Sequence, residues 1–87
     1  MYLEIFIDAI LVKSGYECDS DEEFLGQAIS ASECAQKCKN KDGCKFFVYG
    51  TRNTHCYREK PTDTKIDSQE CNGKQWEKDD YSFYSSK

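Results

Sequence analysis

Residues 30–56 read SASECAQKCKNKDGCKFFVYGTRNTHC, and the fold is decided within them. Ser30-x-x-Glu33 is a capping box, in which the serine hydroxyl and the glutamate carboxylate each satisfy a backbone N–H left over at a helix start. Nothing in residues 31–39 breaks a helix, and Lys37 and Lys39 suit its negative C-terminal end. Cys34 and Cys38 are four apart, so they share one helix face, a turn above one another. Gly43 supplies a tight turn, and residues 45–49 (KFFVY) have the aromatic and β-branched content of a strand. After the turn-like TRNT of residues 51–54, residues 55–59 (HCYRE) read as the returning strand. Four sulfurs therefore gather where one helix lies against a hairpin.

Around that centre there is room for little else. A chain of 87 residues holds one domain, and with 38% hydrophobic residues and a mean hydropathy of -0.84 its core alone leaves it marginal. Six cysteines meet that need: an even count in so short a chain favours a disulfide framework, which persists in oxidising compartments. A net charge of -4 and a pI of about 4.9 argue against a nucleic-acid partner, since no basic stripe tracks a phosphate backbone. No apolar run approaches the roughly 18 residues of a membrane span, so membrane insertion is not expected.

Spacing suggests the sulfur pairs. Cys38 and Cys44 bracket a turn that brings the helix end beside the strand, Cys34 points the same way, and the returning strand offers Cys56. Cys18 and Cys71 are left at the two ends of the domain. In the chain-entropy model these bonds are worth ~2.4, ~3.4 and ~4.2 kcal/mol in that order, as non-additive upper guides because the loops are nested. The rival bond, Cys34–Cys38 along the helix, would distort a turn. A zinc shell from Cys34, Cys38, Cys44, His55 and Cys56 is the chemical alternative. It places Cys-x3-Cys on a helix rather than a knuckle and leaves Cys18 and Cys71 unexplained, so no metal or other cofactor is expected.

Residues 1–13 (MYLEIFIDAILVK) fit a helical stripe and strand alternation about equally, with the β-branched residues favouring a strand. Two acids inside the segment and no basic residue before Lys13 argue against a signal peptide. It reads as an extension or linker, or an edge strand, with the domain itself beginning at Ser14 and running over 14–87. Residues 16–18 (YEC) are extended. The run Asp19-Ser20-Asp21-Glu22-Glu23 alternates acids like the start of a calcium loop. Phe24 stands where that loop needs its glycine, however, and Ser30 where it needs its bidentate glutamate. A solvated acidic loop is the plainer reading, with Phe24, Leu25 and Ile29 entering the core beyond it. Residues 60–69 form a long polar loop containing the one proline, and residues 76–84 (WEKDDYSFY) read as a terminal strand on which Tyr81 and Phe83 share a face.

Cys18, Cys34-x3-Cys38-x5-Cys44-x2-Phe47-x-Tyr49 and Cys56-Tyr57, with Phe24-Leu25-Gly26 before the helix, resemble the pattern of the PAN/apple domain. The likeness covers residues 15–84. Trp76 and Asp80-Tyr81-x-Phe83-Tyr84 after the last cysteine look most like the apple repeats of apicomplexan microneme adhesins. In the apple domains of clotting zymogens the last cysteine ends the domain, whereas here Cys71 precedes the final strand. The resemblance implies an α+β fold: a small disulfide-stapled domain with one helix cradled by a curved antiparallel sheet and tied to the central hairpin by two disulfides.

Catalysis finds no support in the residues: there is one histidine, no cysteine left over as a nucleophile, no phosphate-binding glycine loop and no triad motif. His55 reads as a surface or edge histidine. The resemblance implies a secreted binding module, one repeat of a host-cell adhesin, held in a secretory organelle such as the microneme. Its partner would be a protein or glycan on a cell surface, or another adhesin. Tyr57, Arg58 and Trp76 are the candidate contacts, because a sugar site needs an aromatic ring beside polar groups. A spacer domain that binds nothing in a repeat array is the alternative.

Overall fold

The computed structural model describes residues 9–62, 65–73 and 76–86. Asp63 and Thr64 of the polar loop, and residues 1–8 of the N-terminal segment, lie outside the described residues. The chain runs β1 (Ala9–Lys13), β2 (Tyr16–Cys18), β3 (Asp21–Gln27), α1 (Ala31–Lys39), β4 (Phe46–Gly50), β5 (His55–Lys60), β6 (Trp76–Lys78) and β7 (Tyr81–Ser86). Five strands form one antiparallel sheet in the order β1-β7-β4-β5-β3, and β2 pairs with β6 in a separate ribbon. One helix on an antiparallel sheet is the α+β class that the sequence implies.

Helix α1 begins where its capping signal lies. The Glu33 N–H donates to Ser30 Oγ at 3.1 Å, and Glu33 Oε1 accepts from the Ile29 N–H at 2.7 Å. Alternation along β4 then builds two cores. Phe47 and Tyr49 face the helix and pack with Ala28, Cys34, Ala35, Cys38 and Cys56, whereas Val48 faces the other way and packs with Cys18, Cys71 and Phe83. The helix covers one face of the sheet; the β2–β6 ribbon covers the other, with the Trp76 ring edge-on to Phe83 at 5.0 Å. Disulfides close both layers. Cys34–Cys56 joins α1 to β5, Cys38–Cys44 closes the turn after the helix, and Cys18–Cys71 ties the ribbon down, with Cα separations of 5.5, 5.4 and 5.7 Å.

Several expectations change. Asp21, Glu22 and Glu23 are not loop residues: they open β3 and pair along β5. A bulge between Phe24 and Gly26, where Gly26 takes φ +115°, then turns Leu25 toward the helix core and leaves Phe24 outside. Phe24 and Ile29 are 52% and 86% exposed instead of buried. Residues 76–84 are not one strand, because Asp79 Oδ1 accepts from the Tyr81 N–H at 2.8 Å and folds a turn between β6 and β7. N-terminal to Ser14, β1 is paired as an edge strand against β7, with Ala9 opposite Ser86.

Candidate functional site

Where β4 begins and β5 ends, Gly43, Lys45, Phe46, Arg58, Glu59, Lys60 and Pro61 line a groove of about 410 Å3, within the size range of small-ligand pockets. Gly43 makes the approach possible. It takes φ +75°, and a Cβ there would lie 3.2 Å from the Arg58 guanidinium. Arg58 points to the helix side of the sheet, where Glu23, directly opposite on β3, meets it at 3.5 Å. The same carboxylate meets Lys41 at 2.9 Å and Lys60 at 3.8 Å. Hydrogen bonding to Lys41 is the largest influence holding the Glu23 carboxyl below its ordinary range, with the charges of Lys41, Lys60 and Arg58 adding to it. One carboxylate thus answers three cations, and Lys45 adds a fourth on the groove wall. The Arg58 Nε is buried without a hydrogen-bond partner. Phe46 and Pro61 supply apolar lining.

Tyr57 points the opposite way. Neighbouring residues on a strand face opposite sides, so Tyr57 and Arg58, adjacent in sequence, belong to different surfaces. Tyr57 sits in a run of rings on the face away from the helix, 5.1 Å from Phe24 and 6.0 Å from Tyr81, with His55 5.3 Å from Phe24. Tyr81 is set against Gly50, where a Cβ would stand 3.0 Å from its ring, and its hydroxyl accepts from Asn53 Nδ2 at 2.9 Å. Trp76 lies on the same side of the sheet as Tyr57, against the same core. It rests on Phe83 in the ribbon, with the Lys13 ammonium 5.9 Å above its ring. Of the three candidate contacts from the sequence, Arg58 therefore lies on the helix side of the sheet, whereas Tyr57 and Trp76 both pack against the core on the other side.

Along the same face as Tyr57, three carboxylates converge. Glu17 from β2, Glu22 from β3 and Glu59 from β5 bring ligand oxygens within 4.8 Å of one another. Glu59 is 2% exposed and accepts a hydrogen bond from the Ser20 hydroxyl. Burial is the main cause that pushes its carboxyl well above the ordinary range, against the pull of the Ser20 bond. Burial likewise raises Glu17, reinforced by Asp79 and Glu22. All six cysteines are in disulfides, so no thiolate is offered to a metal.

Sequence reasoning reached Arg58 and the start of the polar loop but missed Lys45, Phe46 and the carboxylate trio. Alternation on β5, read from Cys56 as a core position, was the signal that would have separated Tyr57 and Glu59 from Arg58.

Comparison with family models matches residues 9–87 to the PAN domain, a range that takes in every strand from β1 to β7. Comparison with curated proteins and with solved structures found no match. With most of its length matched, and with one helix disulfide-bonded to an antiparallel sheet, the chain belongs to the PAN domain family.

Proposed function

We propose that this domain is a non-enzymatic extracellular recognition module, and that the groove between Lys45 and Lys60 takes an acidic group from its partner: a carboxylate- or sulfate-bearing glycan, or an acidic segment of a protein. PAN domains are protein- or carbohydrate-binding modules of extracellular proteins, which supports the broad reading. The groove's charge supports the narrower one. On a chain of net charge -4, Lys41, Arg58 and Lys60 all reach the Glu23 carboxylate, and Lys45 joins Arg58 and Lys60 on the groove lining. Such local excess attracts an anion, and the planar guanidinium favours carboxylate or sulfate over a neutral hydroxyl. The likeness of Trp76 and Asp80-Tyr81-x-Phe83-Tyr84 to microneme apple repeats supports one unit of a host-cell adhesin held in a secretory organelle.

A glycan array with matched acidic and neutral sugars, run beside acidic and neutral peptides, tests this reading. Binding is expected to select the acidic members and to weaken with salt. The double variant Lys45→Ala/Lys60→Ala should lose about tenfold in affinity, the size of one charged hydrogen bond. Arg58→Lys, which keeps the charge and loses the fork, should fall by a similar factor. Binding of neutral members alone, unaffected by these variants, would move the site off the groove. Binding of nothing would favour the spacer.

A further inference from the structure

We propose that Glu17, Glu22 and Glu59 form a calcium site that clamps the β2–β6 ribbon to the five-stranded sheet. Three observations carry this. Their ligand oxygens lie within 4.8 Å of one another, the span of opposite ligands about 2.4 Å from one ion. Oε2 of Glu59 is buried, in a side chain only 2% exposed, and has no hydrogen-bond partner. The register also sets carboxylates directly opposite one another twice, Glu22 across from Glu59 and Glu17 across from Glu77, an arrangement that destabilises a sheet when nothing offsets it.

Nearby lysines do not serve that purpose. Lys60 reaches Glu23 on the helix side, and Lys13 donates to the Ser68 carbonyl. A buried acceptor facing further acceptors needs either a cation or a shared proton. Calcium suits the donor set because it takes six to eight hard oxygens in flexible geometry, whereas magnesium demands a tight octahedron and zinc favours nitrogen and sulfur. Three carboxylates supply up to six oxygens. The Ser20 hydroxyl stands beside Glu59 and the Asp79 carboxylate beside Glu17, and water completes the shell. The ligands come from β2, β3 and β5, so the ion bridges both sheets one residue from the Cys18–Cys71 bond. This is not the linear acidic loop of residues 19–30. Of its three carboxylates, only Glu22 falls within that stretch.

The test uses the disulfide-bonded protein, stripped with EDTA and melted near neutral pH in calcium or magnesium chloride at constant ionic strength. Terbium binding is read in parallel by luminescence excited through Tyr81, which lies close enough to Glu17 and Glu22 to feel their charge. For the ~0.1–1 mM affinity of extracellular calcium modules, about 10 mM calcium should raise the folding equilibrium constant roughly 10- to 100-fold, and magnesium much less. Terbium should saturate at about one ion per chain and be displaced by calcium. Glu59→Gln should abolish both responses while melting in EDTA no lower than the parent, because the amide keeps the shape and brings no charge into the cluster. Should that variant fail to fold, Glu22→Gln at the exposed member must show the same loss. A change below about twofold at that calcium concentration, with terbium emission no greater than the variant's, overturns the site. So does a calcium response that survives both substitutions. Equal responses to magnesium and calcium overturn the choice of ion.

Discussion

The hydroxyl of Tyr49 donates to the Ala28 carbonyl at 2.7 Å, in a core where the two residues are 5% and 2% exposed. The Ala28 N–H donates to the Thr54 carbonyl at 2.8 Å, so this residue just before the helix is held at both backbone groups. Tyr49→Phe removes the donor and strands a buried acceptor, at a cost expected to be about 1–3 kcal/mol. Chemical denaturation should show a lower midpoint with an unchanged slope. A loss below about 0.5 kcal/mol would show that water takes the hydroxyl's place. Single residues also mark the limits of reading pattern alone. Phe24 and Ile29 are apolar and lie beside the helix, so they look like core. The bulge gives the inward place to Leu25 instead, and a bulge leaves little trace in apolar periodicity.

At the scale of elements, β1 is the informative one. It pairs with the outer edge of β7, and its Val12 packs on the core beneath the ribbon. A chain starting at Ser14 should keep its three disulfides but lose about 1 kcal/mol through the half-buried Val12. It should also self-associate through the bared edge of β7. Thermal melts and size-exclusion chromatography check both; a monomer of unchanged stability would make β1 an ornament on the sheet. Helix α1 and the β4–β5 hairpin were legible in the sequence because their signals are local: a capping box at Ser30, cysteines one turn apart, and a turn between two aromatic runs. Partners far apart in the chain were not. Nothing near Ala9 announces Ser86, and the division of β6 from β7 rests on Asp79, which resembles any other acid in an acidic stretch. The carboxylate trio was hidden for the same reason: its members sit on three strands, and only the assembled register brings them together.

For the whole molecule, two thin cores on either side of one sheet must be held by covalent bonds as much as by burial. Each disulfide ties a covering layer or its border to the framework, and losing one from a small domain costs about 2–5 kcal/mol. Full reduction should therefore abolish the cooperative melt and the near-UV dichroism of the buried rings; a reduced form that keeps both would show that the cores suffice. The strand order carries one more consequence. β7, the last of these strands in chain order, is not at the rim of the sheet but between β1 and β4. Translation at about 5–20 residues per second separates Ala9 from its partner Ser86 by roughly 4–15 s. Over that interval β1 has no strand to join, one side of β4 stays open, and Cys18 waits for Cys71 while Cys38 and Cys44 can already close their small ring. Final assembly is thus an insertion, a late strand entering a gap whose two walls already exist, and a ribosome that stalls before Tyr81 leaves a chain with two unclosed edges.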